Sequence, residues 1–131
     1  MAGALTISTL NDSSGVLATQ NGMTGIAKAW VNFNGANGAI RSSFNVSSIT
    51  VASTGVFNVN FTTTLTDANY VGVGNSSTIG TPNAYQQYIT TGSVTGTYGA
   101  HTTSVLTINA YQQSSNAVSS PEMVQIAVFG S

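Results

Sequence analysis

The feature that most constrains this chain is a two-residue rhythm. From Gly25 onward, apolar residues recur at every second position in short runs, and each run is cut off by Gly, Asn, Asp or Ser. Over 56–62, Phe57, Val59 and Phe61 fall on one side and Val56, Asn58, Asn60 and Thr62 on the other. Side chains of a strand alternate between faces, whereas those of a helix return every 3.6 residues, so this spacing predicts half-buried strands. Three further runs share it. Over 25–34, Ala27, Ala29, Val31 and Phe33 oppose Ile26, Lys28, Trp30 and Asn32; over 103–111, Leu106, Ile108 and Ala110 oppose Val105, Thr107, Asn109 and Tyr111; over 123–129, Val124, Ile126 and Val128 oppose Met123, Gln125, Ala127 and Phe129. Shorter or weaker strands are expected at 4–10, 39–46, 49–51, 70–74, 84–90 and 94–98.

Turn chemistry sets the connections. Asn34-Gly35 and Asn37-Gly38 are hairpin signals, predicting that 25–34 folds back tightly onto 39–46. Gly72 and Gly74 leave one face of 70–74 bare, which predicts a close neighbour there. Stretches 75–83 and 112–121 read as loops. Many short strands at spacings of about 8 to 12 residues, with no helical periodicity, predict an all-β fold: an antiparallel β-sandwich or barrel-like module. The 131 residues make one domain, a β-sandwich module over 25–131 preceded by an N-terminal strand or arm over 1–24. Ala84-Tyr85-Gln86-Gln87 recurs as Ala110-Tyr111-Gln112-Gln113, too short a match in so polar a chain to establish duplication.

Composition narrows the partners. Charged residues are 4% of the chain, against about a quarter in an ordinary domain, and net charge is -1. A surface wetted by Ser, Thr, Asn and Gln gives little repulsion between copies, so an oligomer or larger assembly is expected. Lys28 and Arg41 are the two basic residues, too few to neutralise a track of phosphates, so no nucleic-acid partner is expected. Apolar runs fall far short of the roughly 20 residues that span a bilayer, and no membrane partner is expected. The start, 1–10, lacks the basic and apolar regions of a secretory signal. There are no cysteines, hence no disulfides or thiolate metal sites.

The residues that carry chemistry are sparse. Asp12 and Asp67 sit in turn sequences, where aspartate is favoured for its own backbone hydrogen bond, and Glu122 follows Pro121 as a solvated charge at the entry to a strand. His101 is the sole imidazole, so a multi-histidine metal site within one chain is excluded, and a loop or core-edge position is expected. No G-x-S-x-G elbow occurs. No catalytic residue, cofactor or metal is therefore assigned. Trp30, Phe33, Phe57 and Phe61 are candidate core or subunit contacts. Tyr85, Gln87, Tyr98, His101 and Tyr111 are candidate glycan contacts, because aromatic faces and amide groups are what uncharged sugars require.

Several segments together resemble one module. Ala27-Lys28-Ala29-Trp30-Val31-Asn32-Phe33-Asn34-Gly35 is followed in order by Ile40-Arg41, Phe44-Asn45-Val46-Ser47-Ser48-Ile49-Thr50, Phe57-Asn58-Val59-Asn60-Phe61-Thr62 and Asp67-Ala68-Asn69-Tyr70. This series, with the closing VQIAVFG of 124–130, resembles a C-terminal module of bacteriophage tail-fibre and related virion structural proteins. The resemblance implies a β-rich, trimeric, non-enzymatic component located in the virion, of the kind found at host-contacting tips. Implied partners are sister subunits in a homotrimer, other virion proteins of capsid or tail, and host-surface polysaccharide. Because about 24 residues precede the module, where family members carry long shafts, the alternative is a capsid decoration, cement or head-fibre protein.

Overall fold

The computed structural model describes residues 26–77, 87–91, 101–112 and 117–130. They form nine strands: β1 (Ala29–Phe33), β2 (Ile40–Phe44), β3 (Val46–Ser53), β4 (Val56–Phe61), β5 (Val71–Ser77), β6 (Gln87–Thr91), β7 (Val105–Gln112), β8 (Ala117–Val118) and β9 (Met123–Phe129). There is no helix among the described residues. Every pairing is antiparallel, and the strands follow one path, β2-β1-β9-β5-β6-β7-β4-β3, with β8 added beside β7. The β5–β6 junction is short, Asn75 opposite Tyr88 and Ser76 opposite Gln87. There the sheet divides into two layers, β2-β1-β9-β5 and β6-β7-β4-β3.

The alternating sets close the space between the layers. Ala29, Val31 and Phe33 of β1, Val124, Ile126 and Val128 of β9, Phe57, Val59 and Phe61 of β4, and Leu106, Ile108 and Ala110 of β7 belong to one buried cluster. Phe33 of one layer meets Phe57 of the other edge to face, with ring centroids 5.2 Å apart. This is the all-β, sandwich-like arrangement that the period of two predicts.

Four boundaries differ from those expected. The run 39–46 is broken at Asn45, whose φ of 54° turns the chain out of β2 and into the opposite layer as β3. Asparagine tolerates this left-handed conformation, and here its side chain fixes the corner. Nδ2 donates to the carbonyls of Lys28 and Thr63, both at 3.1 Å, while Oδ1 accepts from the Thr63 amide at 2.7 Å. β3 continues through Ser47 and Ser48, with a bulge between Val46 and Ser48, because an exposed edge strand has no need of apolar residues there. β5 extends to Ser77, into a stretch expected to be loop. Within the polar 112–121 stretch, β8 pairs with the end of β7, Tyr111 opposite Val118.

The hairpin prediction holds with a wider turn. β1 pairs with β2, Phe33 opposite Ile40, with a bulge between Asn32 and Phe33. The turn is built by its asparagines: Asn34 Oδ1 accepts from the Ala36 amide at 2.8 Å and Asn37 Oδ1 from the Ala39 amide at 3.0 Å. The neighbour expected at bare β5 is β9, since a Cβ at Gly74 would meet the Gln125 carbonyl oxygen and the Ile126 Cδ1. The expected strands at 4–10 and 94–98, and the arm over 1–24, lie outside the described residues.

One side chain on the core's rim has a chemical consequence. Tyr70 is buried, packs edge to face on Phe61 at 5.8 Å, and shares its hydroxyl proton between the carbonyls of Thr102 and Val105, each at 3.0 Å. Burial pushes its pKa from 10.0 up to about 12, opposed in part by the Thr102 hydrogen bond. The phenol is favoured in the fold, so its stabilising contribution is complete below about pH 10 and is lost as pH rises towards about 12. Denaturant midpoints measured across that window should fall for the natural chain, and the Tyr70→Phe variant should lack that part of the decline.

Candidate functional site

The two layers present different outer faces. On the outside of β3, β4 and β7, side chains bond one another. Asn60 Nδ2 donates to Ser48 Oγ and Thr50 Oγ1, both at 3.0 Å, and Thr107 Oγ1 donates to Asn58 Oδ1 at 2.9 Å. This is a wettable ladder.

The outside of β2-β1-β9-β5 is apolar. Directly opposed residues of an antiparallel pair share a face. The register therefore sets Phe44, Trp30, Ala127 and Val73 in one row across four strands. Phe129 and Val71 are paired in the next row on that side, and Ser42, Asn32, Gln125 and Asn75 form the row on the other. Trp30 is 38% exposed, Val73 48%, Phe44 54% and Val71 60%. Ala127 is short where its neighbours Trp30 and Val73 are long, and between them runs an open groove of about 450 Å³ floored by Ala127 and bounded by the amides of Asn32, Asn75 and Gln125. Arg41 borders the polar row, its guanidinium donating to the Glu122 carbonyl at 2.7 Å and to Asn32 Oδ1 at 3.3 Å. The groove offers apolar contact and amide hydrogen bonds.

The candidate residues fall into distinct places. Phe33, Phe57 and Phe61 are in the core, whereas Trp30 is on the outer face. His101 is exposed, bridges to Leu106 at the start of β7 and lays its ring edge to face on Tyr70 at 5.0 Å. Tyr111 lies near the far end of β7, opposite Tyr88 of β6, and Gln87 stands opposite Gln112 beside it. Five residue steps along the strand separate Leu106 from Tyr111, about 17 Å at 3.3 to 3.4 Å each. His101 and Tyr111 therefore do not share one site. Register brings Gln87 and Tyr111 to the same end of the β6–β7 pair. Tyr85 and Tyr98 lie outside the described residues.

Asp67 does what its turn sequence predicts, its Oδ1 accepting from the Asn69 amide at 2.7 Å. Among the described residues, no three histidine, cysteine, aspartate or glutamate side chains gather into a group able to hold a metal ion. Phe44, Val71 and Val73 were not among the sequence candidates. Their signal was present in part: over 70–74 the glycines and valines alternate, so if the glycine face is the one against a neighbour, the valines must face outward. In the comparisons with known proteins, no family, no curated protein and no solved structure matches this chain.

Proposed function

We propose that this chain is a bacteriophage virion structural protein, a homotrimeric and non-enzymatic receptor-binding tip of the tail-fibre kind that recognises host-surface glycan. The observation that carries this reading is where the resembling segments fall. The KAWVNFNG run supplies β1 and its turn, FNVSSIT supplies the Asn45 corner and β3, FNVNFT supplies β4, and the closing run supplies β9. Order and spacing thus coincide with core strands and a corner whose side-chain bonds need that asparagine, which is what a shared module requires. A charge-poor all-β domain suits a place in a larger particle.

Glycan recognition is assigned to the end of the β6–β7 pair, on the face that Tyr111 shares with the Tyr88 position opposite it; Gln87, opposite Gln112, belongs to the other face. Sugar binding by aromatic groups uses stacking on their ring faces. The purified chain should bind susceptible cells or their surface polysaccharide and compete with the phage for adsorption. Tyr111→Ala should weaken that binding by about tenfold, the equivalent of about 1.4 kcal/mol. Absence of adsorption to any susceptible cell or polysaccharide would overturn receptor binding, and hundreds of copies per particle would assign the chain to the shell as a decoration protein.

A further inference from the structure

We infer that the outer face of β2-β1-β9-β5 is the surface on which copies of this chain meet, with Trp30 at its centre. This rests on the self-association proposed above and adds the surface responsible for it. Its grounds are area, contrast and chemistry.

Trp30, Phe44, Val71 and Val73 are each 38% to 60% exposed, and they lie in two adjacent rows. Together they leave on the order of 400 Å² of apolar surface in water, the size of the largest patch on a typical monomer, which is often a functional one. A stable interface buries about 800 Å² per partner with an apolar centre and a polar rim. The rows match that anatomy, with the amide row of Asn32, Gln125 and Asn75 along one side.

The orientation of β5 argues the same way. Val71 and Val73 are the exposed hydrophobic residues of that strand, and the positions opposite Val128 and Ile126 are Gly72 and Gly74. A sandwich strand facing water would carry the reverse pattern. The opposite layer shows what a solvent face of this protein looks like, the Ser48–Asn60–Thr50 and Asn58–Thr107 bonds.

The occupants are sister copies of the proposed trimer, the same face of each copy meeting the others about a shared axis. Amides both donate and accept, so the Asn and Gln row can satisfy an equivalent row, and apolar rows bury one another. A net charge of -1 on 131 residues opposes the approach of copies hardly at all. Two basic residues in the whole chain give a polyanionic partner nothing to bind.

Trp30 is the chain's single tryptophan, so its fluorescence reports on this surface without a mutation. The full chain should sediment as an oligomer with Trp30 emission blue-shifted and shielded from acrylamide, and dilution should expose Trp30 in step with the fall in mass. Val73→Lys and Phe44→Ser should each retain the circular dichroism spectrum of the natural chain, and Val73→Lys should weaken association about a hundredfold by placing an unpaired charge in the contact. An oligomer in which Trp30 is freely quenched and both variants keep their mass overturns this surface and leaves self-association standing. A monomer with exposed Trp30 overturns self-association as well. A monomer with shielded Trp30 shows the face covered within one chain, which also overturns the inference.

Discussion

Phe57→Ala should remove about 3 to 5 kcal/mol of folding stability, the usual cost of emptying a fully buried aromatic position. Phe57 is 0% exposed and is the second residue of β4, with Ile108 of β7 and Val51 of β3 directly opposite. Its ring is also the contact between layers, meeting Phe33 at 73° with centroids 5.2 Å apart. Such aromatic pairs add about 0.5 to 1.5 kcal/mol beyond the area they bury. A domain of this size is stable by about 5 to 15 kcal/mol in total, so this one truncation takes a large share. Urea titration should show a much lower midpoint with an unchanged slope. Phe57→Leu, which keeps most of the volume, should lose about 1.5 kcal/mol or less. A loss below about 1 kcal/mol for the alanine variant would mean that the layers do not close on Phe57 and would refute the packing described.

The core was the legible part of this fold. Phe57, Val59 and Phe61, and likewise Val124, Ile126 and Val128, are buried as their alternation predicts, because the side-chain period of a strand is a local property. Corners and register are not local. The run 39–46 reads as one strand, yet Asn45 breaks it, since a left-handed residue other than glycine is held there by partners 17 and 18 positions away. β8 exists only because the end of β7 offers it a ladder, which no feature of Ala117 and Val118 announces.

The candidate sites divide in the same way. Aromatic residues can be picked out by type, but only register shows that Tyr111 stands next to β6 while His101 bridges to the opposite end of β7. The apolar outer face needed three registers at once: Phe44, Trp30, Ala127 and Val73 come from four strands spread from residue 30 to residue 127 and become neighbours through their pairings. Trp30 alone was visible as an apolar residue on the side of β1 where Asn32 also points.

Gly55→Ala should cost about 2 to 5 kcal/mol, a loss out of proportion to one added methyl group, by combining backbone strain with broken buried hydrogen bonds. Gly55 closes the β3–β4 turn at a φ of 70°, a conformation that costs a residue with a Cβ about 1 to 2 kcal/mol. The new Cβ would also fall 2.6 Å from the Ser119 carbonyl oxygen, 2.7 Å from the Ser119 nitrogen and 2.9 Å from the Ala110 carbonyl oxygen. These are backbone atoms, which have no rotamer by which to yield. Moving them breaks a small knot: the Ala110 amide donates to the Gly55 carbonyl at 2.8 Å, the Ser119 amide to the Ala110 carbonyl at 2.9 Å, and the Gly55 amide to Ser120 Oγ at 3.2 Å. Leaving such groups unsatisfied adds about 1 to 3 kcal/mol. Gly38 is the control, with a similar φ of 73° but a Val51 methyl at 3.2 Å and the Ile49 carbonyl oxygen at 3.3 Å as the nearest neighbours of an added Cβ. These contacts are tight but do not overlap as those at Gly55 do, so Gly38→Ala should cost about 1 to 2 kcal/mol, close to the left-handed penalty alone. Thermal melts of the two variants side by side separate strain from collision. Equal losses would show that the contact between the β3–β4 turn and Ser119 does not hold in solution.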